Sequence, residues 1–209
     1  MDANQETRSN PFNMDEACTN CDLCETRDTV VHGYGDVGAE FLFVGEMPSE
    51  GADKTGIPFT GDSAGERFQD ILGRLGLSES APDETEPEIE NAFLTYLTRC
   101  RHPERGPDDG EIMACEPYLN AEIRMINPEI LVPVGERALE EIATEYTTTR
   151  ASELDIADDH GKTIRGRGFE LVPMIHPEEQ TNEQTEAFVK AFAELMGTDY
   201  RQTKGRQGR

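Results

Sequence analysis

Four short apolar runs, separated by stretches with helical periodicity, constrain the fold of this chain more than any other feature. The runs indicate buried strands at residues 40–44, 92–97, 130–134 and 170–175. Apolar residues recur with helical spacing over 63–77, 109–126 and 136–145. Strands and helices in alternation predict an α/β fold, a three-layer α/β/α sandwich around a short, mostly parallel sheet of about four strands.

Three of the four apolar runs are followed by residues that can take part in chemistry. Gly45 and Glu46 follow the first run, Cys100 follows the second, and His176 follows the fourth. In open parallel sheets, ligands bind at the carboxyl ends of the strands. We therefore expect a functional site at this edge of the sheet.

The five cysteines indicate metal binding more strongly than disulfides, because we expect the chain to be intracellular. Cys18 and Cys21 form the motif CTNC, and Cys100 and Cys115 lie much further along the chain. Four thiolates suit either a 4Fe-4S cluster or a structural zinc ion, and the residues leave both open. The alternative is that Cys100 and Cys115 are ordinary core residues. Cys24 is not needed as a ligand.

Each candidate site residue also has a purely structural interpretation. The turn at residues 45–48 can simply close a βα unit, or it can present Glu46 to a substrate. Its glycine spacing excludes a Walker-type phosphate loop. Phe59 lies in the loop PFTG, where an aromatic ring either packs within the loop or stacks on a flat base. His176 is either a structural histidine or a donor to a developing anion.

The charge of the chain is strongly negative, with 43 acidic against 19 basic residues and a formal net charge of -24. Because the acidic residues are spread between apolar runs, the composition does not indicate disorder. It is typical of a halophilic surface that holds water and ions in concentrated salt. Such acidity normally argues against nucleic acid, but molar salt shortens the Debye length to about 3 Å, so DNA is not excluded as a partner.

The length of 209 residues suits one domain. We expect a flexible N-terminus at 1–14, a single domain over 15–197 and a flexible basic tail over 198–209. No apolar stretch reaches the ~18 residues of a membrane span, and the N-terminus lacks signal-peptide character. We therefore expect a monomeric, cytoplasmic protein that does not bind membranes.

Taken in order, the motifs resemble those of the type 4, iron–sulfur uracil-DNA glycosylases. The chain shows CTNCDLC, VVHGYGD, GEMPSEGADKTGIPFTG, LTYLTRCRHP, Cys115 and MIHPEEQ over residues 18–180. Each motif is weak alone, and their ordered combination is specific. The resemblance implies a DNA repair glycosylase that hydrolyses the N-glycosidic bond of uracil, or of a related deaminated base, in DNA.

The resemblance also implies a role for each motif. The proposed cluster ligands are Cys18, Cys21, Cys100 and Cys115. Glu46 would assist attack of water at the sugar C1′, and His176 would stabilise O2 of the departing uracil. The flipped base would stack on Phe59. The remaining residues of the first substrate-binding motif would be Gly45, Met47 and Pro48.

Three features differ from the family pattern. The asparagine that reads the uracil edge falls on Tyr96, whose hydroxyl does not reproduce the donor and acceptor pair of an amide. Ser49 replaces a glycine, and basic residues after the His-Pro motif are replaced by Glu178, Glu179 and Gln180. We therefore expect Tyr96 on the pocket wall, with weaker or broader activity than that of a typical family member.

Two alternatives remain open at the level of sequence. One is a cluster-bearing member of the superfamily that binds DNA or another partner without cleaving glycosidic bonds. The other is an unrelated α/β protein whose cysteines hold a structural zinc ion.

Overall fold

Six strands form one central sheet in the computed structural model, which describes residues 7–200. The strands are β1 (Tyr34–Gly35), β2 (Phe41–Gly45), β3 (Ala92–Tyr96), β4 (Ile130–Pro133), β5 (Ile164–Arg165) and β6 (Glu170–Leu171). Their order across the sheet is β1-β3-β2-β4-β6-β5. The four inner strands are parallel, and the short edge strands β1 and β5 pair antiparallel with β3 and β6.

Helices cover both faces of this sheet. They are α1 (Glu50–Thr55), α2 (Ser63–Arg74), α3 (Asp109–Ile126), α4 (Glu136–Tyr146) and α5 (Asn182–Met196). Alternate residues of β2 point to opposite faces, as a strand requires. Phe41 and Phe43 pack in one hydrophobic cluster with α2 and α5, whereas Leu42 and Val44 pack in a second cluster with α3 and α4. The predicted α/β fold is therefore confirmed.

The structure differs from the expected strands at the edges of the sheet. The two edge strands have only two residues each, which is too short for an apolar periodicity, so the sequence did not predict them. The expected strand at 170–175 is regular only at Glu170–Leu171. Beyond it, Pro133 carries no backbone N–H to donate to the neighbouring segment, so the ladder is interrupted before an isolated bridge between Val134 and Met174.

The described parts of both expected flexible ends pack against the domain. Phe12 and Met14 are buried, and the Phe12 ring lies 5.8 Å from the Phe93 ring, centroid to centroid. At the other end, the Tyr200 hydroxyl donates to Glu40 Oε2 at 2.6 Å. Flexibility of residues 1–6 and 201–209 stays a prediction, because these residues lie outside the described part of the chain.

Helices α1 and α5 were not expected from the sequence, and α2, α3 and α4 are close to the predicted ranges. Within residues 7–200, no helix has both the length and the apolar character that a membrane span requires. Two 3₁₀ turns, Asp22–Glu25 and Ala151–Glu153, complete the regular structure. The first of these follows the cysteine motif CTNC.

Candidate active site

A groove with a volume of about 500 Å³ opens at the carboxyl edge of the parallel strands. Glu46, Met47 and Pro48 enter it from the turn that follows β2, and His176 enters from the segment beyond β6. The rest of the lining is mostly polar and comprises Ser49, Glu50, Asp62, Ser63, Ala64, Arg101, Glu136, Glu178 and Glu179. The structure thus brings the two predicted catalytic side chains to one cavity.

The carboxylate of Glu46 lies at the beginning of α4. Its Oε1 accepts a hydrogen bond from the Arg137 backbone N–H at 2.9 Å. The N-terminus of a helix favours negative charge at this position. Gly135 permits the approach, because a Cβ there would lie 2.6 Å from Glu46 Oε1, and its φ of +97° disfavours any other residue. The orientation of Glu46 is therefore fixed by α4.

His176 presents one ring nitrogen for donation. Its Nδ1 accepts a long hydrogen bond from the Glu178 backbone N–H at 3.4 Å, which places the proton of a neutral ring on Nε2. The turn is closed by the Glu179 N–H, which donates to the His176 carbonyl at 2.9 Å. From α2, Arg67 Nη1 donates to the Pro177 carbonyl at 3.1 Å. These contacts hold the imidazole at the groove.

Gln180, which replaces a basic residue of the family pattern, has a structural role in the same turn. Its side chain is buried, and its Nε2 donates to the Ile175 carbonyl at 2.6 Å. Its Oε1 accepts from the Thr185 hydroxyl at 2.9 Å. Glu178 and Glu179 are exposed. This turn therefore brings two carboxylates, and no cation, to the rim of the groove.

Ser49, the replacement for the family glycine, caps α1. Its hydroxyl accepts from the Ala52 N–H at 3.2 Å, which satisfies one of the free amides at the start of that helix. Asp62 caps α2 through the Gly65 N–H at 2.8 Å and also accepts from the Gly51 N–H at 3.2 Å. Hydrogen bonds at the N-termini of α1 and α2 therefore fix the segment between β2 and α2.

Phe59, Tyr96 and Gly45 lie in the hydrophobic core beside the groove rather than on its surface. Phe59 is 5% exposed, and its ring stacks on Phe68 with the centroids 4.1 Å apart. The Phe59 and Tyr96 rings lie 4.7 Å apart. A Cβ at Gly45 would lie 2.7 Å from Tyr96 Cδ1 and 2.8 Å from Phe59 Cζ, so only glycine fits there. Burial raises the pKa of Tyr96.

The four cysteines predicted as ligands come from three parts of the chain and meet near one end of α3. Cys18, Cys100 and Cys115 are buried, and Cys21 is half-buried. The pKa of Cys100 is raised to about 11, mainly by burial, and the neighbouring thiols of Cys115 and Cys21 contribute to this rise. Burial also raises the pKa of Cys115, with further contributions from Cys21 and Cys18. The thiols therefore influence one another electrostatically.

Hydrogen-bond donors surround this group of sulfurs. Arg27 Nη1 donates to Cys100 Sγ at 3.3 Å, and its Nη2 donates to the Cys18 carbonyl at 2.7 Å. The side chains of Tyr118 and Cys18 are also hydrogen-bonded. Donors to sulfur suit bound thiolates, so the donor chemistry fits a cluster or a zinc ion. Across residues 7–200, however, no three acidic, cysteine or histidine side chains adopt the arrangement of a metal site.

A buried ion pair that the sequence did not reveal joins the cysteine region to the end of β3. Arg99 Nη2 lies 2.7 Å from Glu122 Oε2, and both side chains are 1% exposed. Glu122 also accepts from the Thr95 hydroxyl at 2.7 Å, and Arg99 Nη1 donates to the Tyr96 carbonyl at 2.8 Å. Buried charges require such pairing. Arg99 and Glu122 are distant in sequence, so no local sequence pattern could predict that they pair.

The α/β fold and the groove at the carboxyl ends of its strands suit a DNA glycosylase domain, and comparison with known proteins identifies the family. The family model "Uracil DNA glycosylase superfamily" matches residues 32–196. The chain therefore belongs to this superfamily.

Several proteins named type-4 uracil-DNA glycosylase are similar to the chain. The one from Sulfurisphaera tokodaii is 38% identical over 138 residues, which is 66% of this chain and 56% of that protein. The one from Saccharolobus solfataricus is 38% identical over 120 residues, or 56% and 50%. The one from Archaeoglobus fulgidus is 30% identical over 195 residues, or 87% and 89%. The chain thus spans about half the length of the first two relatives and most of the third.

Proposed function

We propose that this protein is a DNA glycosylase that hydrolyses the N-glycosidic bond of uracil, or of a related deaminated base, in DNA. The observation that carries this proposal is the placement of Glu46 and His176 on one groove in a member of the superfamily. The names of the type 4 relatives support uracil as the base. We propose further that the enzyme acts as a monomer in the cytoplasm.

The two side chains suit the charges that develop as the glycosidic bond breaks. The enzyme first extrudes the nucleotide from the duplex, because the bond is inaccessible within the base stack. The sugar then becomes oxocarbenium-like, and the carboxylate of Glu46 stabilises it and orients the attacking water. The leaving uracil gains negative charge at O2, to which Nε2–H of His176 donates. Interactions that strengthen as charge develops lower the barrier.

The groove is acidic for a DNA-binding surface, which bears on the conditions of the reaction. Among the described residues that line it, six are carboxylates (Glu46, Glu50, Asp62, Glu136, Glu178 and Glu179), whereas Arg101 is the one arginine or lysine. At low salt, this charge repels phosphates. We propose that the protein is salt-adapted and binds DNA in molar salt. There, screening weakens the repulsion between carboxylates and phosphates, so local contacts determine the affinity.

We also propose that Cys18, Cys21, Cys100 and Cys115 hold a 4Fe-4S cluster, with zinc as the alternative. Support comes from the mutual influence of the four thiols and from the Arg27 hydrogen bond to Cys100 Sγ. A bound cluster would supply a covalent link between the N-terminal segment, the end of β3 and α3. Because four thiolates leave no open coordination position, its role would be structural.

Metal analysis tests the ligand assignment. The purified protein should contain iron and sulfide, and it should absorb in the visible region. Cys115→Ser should lose most of the iron, whereas Cys24→Ser, the matched control, should retain it. Zinc in place of iron in protein expressed with both metals would support the alternative. Iron loss in Cys24→Ser equal to that in Cys115→Ser would contradict the assignment.

The activity is tested with uracil-containing single- and double-stranded oligonucleotides in molar KCl. The wild type should release uracil. His176→Ala should lower turnover by a factor of ~10²–10³, the usual effect of losing a transition-state donor, with little change in DNA affinity. His102→Ala is the control, because His102 is not among the groove-lining residues. DNA binding by the wild type without base release would favour the non-catalytic alternative.

A further inference from the structure

The backbone of Phe59 adopts an unusual conformation. Its φ is +55°, in the left-handed region that aromatic residues rarely occupy. A bulky residue remains there only when its surroundings compensate for the cost. Such residues are frequent at functional sites. The loop that contains Phe59 continues into Asp62, Ser63 and Ala64, which line the groove. The contacts that hold Phe59 therefore bear on the reaction.

Both peptide groups of Phe59 are bound by buried side chains. Its N–H donates to the Tyr96 hydroxyl oxygen at 2.8 Å, and its carbonyl accepts from Gln69 Nε2 at 3.1 Å. Tyr96 extends from the end of β3, and Gln69 lies on the inner side of α2. A Cβ at Gly65 would lie 2.9 Å from the Phe59 carbonyl oxygen, so α2 approaches the loop as closely as possible.

Gln69 forms a specific hydrogen bond with the Phe59 carbonyl. Its Oε1 is buried and finds no hydrogen-bond partner among the described residues. An unpaired buried acceptor costs free energy, and an apolar residue at this position would avoid that cost. The compensation visible in the structure is the bond from Nε2 to Phe59. Only a side chain with a donor at this distance can provide it.

We propose that Tyr96 and Gln69 are positioning residues that hold the Phe59 backbone, and through it the loop that brings Asp62, Ser63 and Ala64 to the groove, and that Tyr96 does not read the base edge. This inference rests on the proposed glycosylase function. The Tyr96 hydroxyl already accepts the Phe59 N–H, and its ring packs in the core against Phe59 rather than along the groove. Tyr96 thus acts on the groove through the Phe59 backbone and the loop that follows it.

The role predicts a defect in rate rather than in base preference. Tyr96→Phe removes one oxygen and leaves the Phe59 N–H buried without an acceptor, which favours a return of the loop to an ordinary backbone conformation. A misplacement of about 1 Å in a substrate-positioning group lowers rates by up to roughly a hundredfold. Gln69→Leu removes the second contact and should act in the same direction.

The experiment combines amide exchange with kinetics. Tyr34→Phe is the matched control, because the Tyr34 hydroxyl is also buried and donates to the Pro87 carbonyl at 2.9 Å, away from Phe59. Exchange of the Phe59 amide, followed by NMR, should accelerate by roughly tenfold in Tyr96→Phe and not in the control. Single-turnover uracil release should slow, with unchanged DNA affinity and unchanged preference for uracil over thymine.

Several results would overturn the inference. One is wild-type protection of the Phe59 amide in Tyr96→Phe or, should that variant not fold, in Gln69→Leu. Another is an altered preference between uracil and thymine in Tyr96→Phe, which would assign its hydroxyl to base reading. A third is strictly additive rate losses when Tyr96→Phe and Gln69→Leu are combined in one protein, which would mean that the two side chains act separately. If the wild type releases no base, the proposed function fails, and amide exchange alone decides whether the two side chains hold Phe59.

Discussion

His32 should make the folded protein sensitive to mild acid. The side chain is 4% exposed and lies against the Tyr118 ring. Its Nε2 donates to the Asp15 carbonyl at 2.9 Å, and its buried Nδ1 has no partner among the described residues. Burial, and then the positive charge of Arg99, lower the pKa of His32 to about 4. A second proton would find no acceptor at Nδ1.

The sign and size of the effect follow from this pKa. In the unfolded chain the imidazole titrates near 6.5. Above that pH, neither state is protonated at His32, and the residue contributes no pH dependence. Between pH 6.5 and about 4, the unfolded state binds the proton and the folded state does not. The free energy of unfolding therefore decreases as the pH is lowered through this range. The gap between the two pKa values corresponds to roughly 3 kcal/mol.

Urea unfolding of the wild type and His32→Gln, from about pH 7 to about pH 4 in molar KCl, measures this contribution. Glutamine can keep a donor near the Asp15 carbonyl but carries no titrating group. The wild type should lose up to roughly 3 kcal/mol relative to the variant across this range. Both proteins share every other acid-sensitive group, so the difference isolates His32. Parallel stability curves would refute the reasoning.

Three further predictions concern Glu46, the buried ion pair and the surface charge. Gly135→Ala should slow base release by tenfold or more at unchanged DNA affinity, because the alanine Cβ would lie 2.6 Å from Glu46 Oε1 and displace the carboxylate. Wild-type kinetics in this variant would contradict the prediction. Glu122→Gln should lower the free energy of unfolding by about 3 kcal/mol or more, because it leaves Arg99 buried and unpaired; denaturant titration measures the loss. The melting temperature should rise between millimolar and molar KCl, because salt screens the net charge of -24; a salt-independent value would contradict this.

The sequence predicted the elements whose residues repeat with a clear period. The expected range 109–126 coincides with α3, which begins with a capping box between Asp108 and Glu111 and ends at Asn127 in the left-handed region. Helix α5 was missed, although Thr181 and Gln184 form a second capping box in TNEQ. That signal was sufficient to find the helix. The two-residue edge strands leave no comparable trace.

The groove was predictable in outline, because residues that follow parallel strands meet at one edge of the sheet. Glu46 and His176 meet there. The burial of Phe59 was not predictable, since it depends on how α2 packs against the loop. The stacking of Phe59 on Phe68 and the close approach at Gly65 belong to tertiary structure alone. The same limit applies to Gly135, whose contact with Glu46 joins two distant parts of the chain.

The three departures from the family pattern each have a partner within this chain. Ser49 caps α1, Tyr96 accepts the Phe59 N–H, and Gln180 donates to the Ile175 carbonyl. Tyr96 and Gln180 are buried, so without these partners their polar atoms would lower the stability of the fold. Instead, each substituted side chain makes a hydrogen bond that supports the turn, loop or helix next to the groove. The departures therefore agree with a retained site whose loops are held by different bonds, and they direct attention to how this pocket reads its base without the family asparagine.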